Sequence, residues 1–172
     1  RNQAYSSWVS LWEDAAKKSP DNLDPYLNLS VAYREGGNPA KSVENAKKAI
    51  EKGKKKGGVP IIAYINLSAA YEDMGEYEKA IEALKSIEKY STNNYKYYHN
   101  LGSIYMKMKQ CEEALPLLEK AVQIRPNAPG SFFAMGGCYE ILSNKKKAEE
   151  YYRHVTESVA QSGQDYIFHG IA

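Results

Sequence analysis

Histidine and cysteine are both scarce in this chain, with three and two among 172 residues. His99, His154 and His169 stand alone, and Cys111 and Cys138 have neither a CxxC partner nor a histidine at ligand spacing. No metal site is expected from them. No serine sits in a nucleophile elbow, and no glycine-rich loop follows a strand, because no segment reads as a strand. Glu72 and Asp73 form a tight carboxylate couple, which can do acid and base work but on a repeating helix is far more often solvated. The chain is therefore read as non-enzymatic, with no catalytic residues and no cofactor. An excess of one charge is also missing. A net charge of +2 gives no field for nucleic acid, and no aromatic and basic residues interleave on a reading surface. No apolar run is long enough to cross a bilayer, and no signal-peptide pattern precedes the first helix. A soluble domain is expected.

What the chain does have is tyrosine, 15 residues against 3 phenylalanines, and seven of them fall in one recurring block. It reads YLNLSVAY from Tyr26, YINLSAAY from Tyr64, YHNLGSIY from Tyr98 and, weakened, FFAMGGCY from Phe132. The second aromatic of each block, Tyr33, Tyr71, Tyr105 and Tyr139, recurs at intervals of 38, 34 and 34 residues. A fixed period of this size is the signature of a solenoid. Tyr64, Leu67, Ser68 and Tyr71 lie at i, i+3, i+4 and i+7, one face of a helix. Gly75 ends that helix and EYEKAIEAL begins the next. Ser30, Ser68, Gly102 and Gly136 are small where two helices of a hairpin meet. Ser42, Ala80, Ala114 and Ala148 supply the matching small residue on the second helix.

These features resemble the tetratricopeptide repeat family, whose 34-residue helix-turn-helix carries an aromatic, a Leu-Gly pair, a Tyr, a later Ala and a closing Pro. The resemblance implies an all-α, right-handed superhelical solenoid. On that frame the repeats occupy residues 23–60, with a lysine-rich extension after 56, then 61–94, 95–128 and 129–162. Gly57, Gly58, Val59 and Pro60 account for the longer first interval. Residues 1–22 read as an N-terminal half-repeat or capping helix, with Trp8, Leu11, Trp12 and Ala15 on its apolar face. Trp8 stands where an alanine normally admits a preceding helix. Residues 163–172, with Tyr166, His169 and Gly170, read as the start of a further, truncated repeat helix. The expectation is a piece of a longer protein.

The opening RNQAYSSWVSLWEDAAKKSPDN also resembles the junction in multi-pass mannosyltransferase-like membrane proteins, where the last span hands over to a tail of such repeats. That resemblance implies an extracytoplasmic tail of a glycosyltransferase-like parent. Without it, a cytoplasmic domain capped by an ordinary helix is the reading. Cys111 and Cys138 fall where stacked repeats approach each other. Two buried free thiols are expected, with a disulfide as the alternative suited to an extracytoplasmic location.

In the family, side chains two, five, six, nine, twelve and thirteen residues into each repeat line a concave groove. The resemblance thus implies a binding surface of Leu27, Asn28, Val31, Arg34 and Glu35, then Ile65, Asn66, Ala69, Glu72 and Asp73. Lys96, His99, Asn100, Ser103, Met106 and Lys107 follow, then Phe133, Gly137, Glu140 and Ile141. Asn28, Asn66 and Asn100 form a ladder that lacks a fourth rung at Ala134. A carboxamide has one acceptor and two donors, so each rung can pair with an extended peptide backbone. The ladder is similar to the one in the repeat domain of O-linked N-acetylglucosamine transferase. Chaperone-binding members instead clamp a terminal carboxylate with Lys and Asn. Here Leu27 and Val31 stand at two clamp places, although Asn66 and Lys96 fit two others.

The lysines between Lys47 and Lys56 crowd a helix end, where the dipole favours cations. An acidic partner or weak contact with anionic lipid is the other reading. Lys145, Lys146 and Lys147 begin a helix, where the dipole disfavours them, and an acidic contact would rationalise them. The sequons at Asn28 and Asn66 are read as coincidences of the repeat. The function these readings imply is a protein-interaction scaffold presenting its groove to a peptide or partner helix, with self-association as a rival.

Overall fold

A computed structural model of the chain describes residues 2–168, with side chains described over 7–157. The described residues hold helices and turns and no strand. They divide into two compact units, one up to Thr92 and one from Asn93 onward.

In the first unit, α1 (Asn2–Lys18) packs on α2 (Asp24–Glu35), α2 on α3 (Pro39–Lys55), α3 on α4 (Ile61–Asp73), and α4 on α5 (Tyr77–Lys85). The two helices that open repeats, α2 and α4, also touch. Helix α5 is short, and a single 3-10 turn, Glu88–Tyr90, follows it. In the second unit, α6 (Tyr95–Lys107) packs on α7 (Cys111–Ile124), α7 on α8 (Pro129–Ile141), α8 on α9 (Lys145–Phe168), and α6 on α8.

Every hairpin turns in the same way, and the reason lies in the second tyrosine of each block. The carbonyls of Tyr33, Tyr71, Tyr105 and Tyr139 accept the backbone N–H of the residue five places on, at 2.8, 2.9, 2.9 and 2.8 Å. Inside each loop a second bond closes, from Gly37 to Arg34, Gly75 to Glu72, Lys109 to Met106 and Ser143 to Glu140. This nested pair is the Schellman arrangement, which requires a left-handed residue just past the helix. Gly37 and Gly75 supply it at φ 75° and 74°, and Lys109 and Ser143 at 62° and 58°. Asn38 and Asn144 then cap the next helix, accepting from the N–H of Lys41 and Lys147. After α3, Gly57 at φ 77° ends the helix and the chain folds back until Pro60 lies against Gly53. A Cβ on Gly53 would stand 2.8 Å from that proline.

Small residues let the paired helices approach. Ser30, Ser42, Ser68, Ala80 and Ala114 are fully buried, and Ala148 nearly so. A Cβ on Gly102 would come within 2.7 Å of Leu118 Cγ, and one on Gly136 within 2.5 Å of Tyr152 Cε1. The core of the second unit gathers Cys111, Ala114, Leu118, Ala134, Met135 and Cys138.

Two expectations about the ends need adjustment. Trp12 is half-buried, but Trp8 and Leu11 are each 58% exposed, so one tryptophan rather than two covers the first repeat. Helix α9 runs unbroken through residue 162 to Phe168, so residues 163–168 continue it rather than opening another helix. No proline interrupts the stretch, and a lone Gly163 costs a helix only about 1 kcal/mol. His169 and Gly170 lie outside the described residues, as does the side chain of Tyr166.

Candidate functional site

The first unit places its share of the expected surface on α2 and α4. Leu27, Asn28, Val31 and Arg34 are half-buried on α2, as are Asn66, Ala69 and Glu72 on α4, while Glu35 and Asp73 are exposed. Ile65 is 6% exposed and has little surface to offer. The asparagines here are engaged within the fold. Asn28 Nδ2 donates to the carbonyl of Asp24, one turn back, at 2.9 Å. Asn66 Nδ2 donates to Ser30 Oγ at 3.0 Å, and that hydroxyl donates onward to the carbonyl of Leu27 at 2.7 Å. Ser42 Oγ donates to the carbonyl of Ser30 at 2.6 Å. A hydroxyl and carboxamide network thus joins the first two repeats. Arg34 and Asp73 add an ion pair at 3.9 Å across α2 and α4, worth about 0–1 kcal/mol at that exposure.

The second unit uses α6 and α8 differently. Asn100 is half-buried and makes no hydrogen bond to the described residues. Phe133, on α8, is 59% exposed, and Ile141 is 41% exposed at the end of the same helix. Lys96, Lys107 and Glu140 are exposed, His99, Met106 and Gly137 half-buried, and Ser103 is buried. Gly137 faces Met106, where a Cβ would make an ordinary contact with Sδ at 3.5 Å. Glu140 accepts a hydrogen bond from the Tyr152 hydroxyl at 2.9 Å, and the Tyr152 ring lies 5.5 Å from Phe133. Burial first, and the bond to Glu140 second, push that phenol up to about 12. His99 Nδ1 and Ser131 Oγ are hydrogen-bonded at 3.0 Å, and burial lowers the histidine's pKa.

Most of the clustered lysines find partners inside the fold. Lys48 pairs with Glu44, Lys52 with Asp21 and Lys55 with Glu51, while Lys47 lies over Tyr71 and Lys54 over Tyr64. Lys147 sits 4.8 Å over the Tyr139 ring, as Lys41 does over Tyr33 at 5.0 Å and Lys79 over Tyr71 at 5.6 Å. Each of these last three lysines follows its tyrosine by eight residues. That cation–π contact accounts for Lys147 at a helix start without an acidic partner. Cys111 and Cys138 are buried free thiols. Burial, and then the neighbouring Cys111, push Cys138 up to about 12, far from the thiolate that reactivity needs.

Tetratricopeptide repeat models match residues 61–94 and 95–160, together more than half of the chain. The chain belongs to the tetratricopeptide repeat family. Solved structures agree on the fold of this repeat protein. A crystal structure of MamA is 22% identical with a TM-score of 0.70, covering 95% of this chain and 93% of that one. MamA 41-end from Desulfovibrio magneticus RS-1 is 17% identical with a TM-score of 0.73, covering 94% and 89%. TTC0263, a thermophilic TPR protein in Thermus thermophilus, is 19% identical with a TM-score of 0.79, covering 96% and 89%. No curated protein matches in sequence. The fold class is accordingly an all-α tetratricopeptide solenoid. Among the described residues no His, Cys, Asp and Glu group could hold a metal ion, and no helix is long and apolar enough to cross a membrane.

The repeat frame by itself leaves Tyr95, Arg125, Ser131 and Tyr152 unnamed. Only Tyr152 left a sequence signal: a glycine at the small position, Gly136, makes room for something larger on the second helix.

Proposed function

We propose that this repeat protein is a protein-interaction scaffold, and that the face carried by α6 and α8 takes an extended peptide. One observation carries the reading: Asn100 keeps its whole carboxamide uncommitted on a face that also exposes Phe133. One acceptor and two donors can pair with a peptide's N–H and C=O without reading its sequence, and an exposed ring gives a partner side chain an apolar anchor. Lys96 and Lys107 on one helix and Glu140 on the other add charges that orient the peptide more than they tighten it. In the first unit Asn28 and Asn66 have each committed one donor internally, so they contribute less.

Selection of displayed random peptides on the full chain tests this. Peptides enriched by the native chain are expected to be lost by Phe133→Ser and weakened about tenfold by Asn100→Ala, the scale of one hydrogen bond, with helicity unchanged in both. Enriched peptides that bind both variants as tightly as the native chain would rule this face out as the binding surface.

A further inference from the structure

A cavity of about 200 Å³ opens in the second unit where repeat three hands over to repeat four. Tyr95, His99, Arg125, Gly130 and Ser131 line it, with Ala128 and Pro129 closing one side. Roughly seven waters would fill it at about 30 Å³ each, and it is smaller than the roughly 300–1,000 Å³ of cofactor and drug-sized sites. A single side chain is the right scale of occupant.

The lining chemistry selects the occupant's charge. Arg125 is the ionised group at the cavity, no carboxylate lines it, and Arg125 makes no ion pair among the described residues. Its guanidinium stacks over the Tyr95 ring at 4.9 Å, which fixes the plane and leaves the N–H edges free. His99 is held by Ser131, whose side chain is fully buried. When the serine hydroxyl donates to Nδ1, Nε2 carries the imidazole proton, and an anion in the cavity favours that tautomer. The Cε1 and Nε2 edge of the ring faces Gly130, where a Cβ would stand 3.1 and 3.5 Å away. Gly130 thus keeps that edge open.

We propose that this cavity is a carboxylate pocket, in which Arg125 and His99 receive an Asp or Glu side chain of the bound peptide. The proposal rests on the peptide-binding reading above and names an acidic residue in the partner. It requires no charge from His99, since Arg125 supplies the cation and the imidazole a neutral donor.

NMR titration of the full chain tests it, following the ring C–H signal of His99 for the pocket and the side-chain amide of Asn100 for the face. The probes are a blocked Ala-Glu-Ala-Glu-Ala peptide, its Gln counterpart, acetate and inorganic phosphate. The Glu peptide is expected to shift His99 saturably and the Gln peptide to leave it unmoved. Arg125→Gln should weaken the response by roughly tenfold to a hundredfold, the range for a hydrogen bond to a charged group. Gly130→Ala should abolish it while keeping the helix, because alanine is the better helix former. Acetate or phosphate binding as tightly as the Glu peptide would make the ligand a free anion and overturn the assignment to a peptide side chain. Silence of His99 with every probe would overturn the pocket. If Asn100 then still responds to both peptides, the face survives alone. If His99 responds while Asn100 is silent, the pocket stands and the face reading fails.

Discussion

The two units build the same hairpin from different materials. In the first, the close contacts are made by serines, and the hydroxyls of Ser30 and Ser42 are tied by Asn66 and by the carbonyls of Leu27 and Ser30. Glycine supplies all three left-handed turns, at Gly37, Gly57 and Gly75. In the second, glycine sits at the contacts instead, so that Leu118 and Tyr152 fill the space, and Lys109 and Ser143 take the left-handed turns. The first unit uses its polar groups to join repeats, and the second keeps Asn100 unbonded and Phe133 exposed. A donor that closes a seam is no longer available to a ligand, which leaves Asn66 one N–H and its carbonyl. Under the proposed function, the first unit would serve chiefly as architecture and the second would carry recognition.

The contrast is most vulnerable at the glycine contacts. Gly102→Ala would put a Cβ 2.7 Å from Leu118 Cγ and 3.2 Å from the Ala114 carbonyl. Leu118 is fully buried and has no room to turn aside. Overpacking of this kind costs about 1–3 kcal/mol, offset in part by about 1 kcal/mol of helix propensity. Denaturant unfolding should show a net loss of up to about 2 kcal/mol. Gly136→Ala should lose less, because the atom it meets is the outer edge of a half-buried tyrosine ring.

The turns come next. A left-handed conformation costs a residue with a Cβ about 1–2 kcal/mol, so Gly75→Ala should destabilise the first unit by about that much. Lys109→Gly should stabilise the second by up to about 1 kcal/mol, reduced by the freedom glycine gains when unfolded. Native-state hydrogen exchange, read helix by helix, separates the two units.

The serine seam gives a smaller and two-signed effect. Ser42→Ala loses the bond to the Ser30 carbonyl and should cost about 1 kcal/mol. Ser68 Oγ is buried without a hydrogen-bond partner, so Ser68→Ala should be neutral or stabilising by up to about 1 kcal/mol. Thermal melts of the two variants should move in opposite directions or leave Ser68→Ala unmoved. Smallest of all are the asparagines. Asn66→Ala should lose about 0.5–1 kcal/mol with its bond to Ser30, and Asn100→Ala should leave the unfolding midpoint unchanged.

Much of this architecture is legible in the sequence, because the signals that set it are local. The tyrosine block marks each first helix, and Gly37 and Gly75 mark where it stops. Lys109 and Ser143 take the same turn invisibly, because the bond to the carbonyl of the preceding tyrosine, Tyr105 or Tyr139, imposes the geometry whatever residue stands at the turn. The eight-residue step from Tyr33 to Lys41 recurs at Tyr71 and Tyr139 and would have explained Lys147. At the surface, legibility falls away. The repeat frame names Asn28, Asn66 and Asn100 as equivalent, yet which of them bonds inward depends on whether a hydroxyl or a carbonyl stands within reach, a matter of three dimensions. Arg125 and Ser131 meet His99 across the junction of two repeats, and no spacing in one repeat announces that.

The most direct test of the division between the units is to label the full chain and map a display-selected peptide onto it by NMR. Saturable shifts are expected at Asn100 and around Phe133, with the side-chain amides of Asn28 and Asn66 unmoved. Shifts of all three asparagines at one common affinity would contradict the division and restore a single ladder in which the internal bonds of Asn28 and Asn66 do not matter.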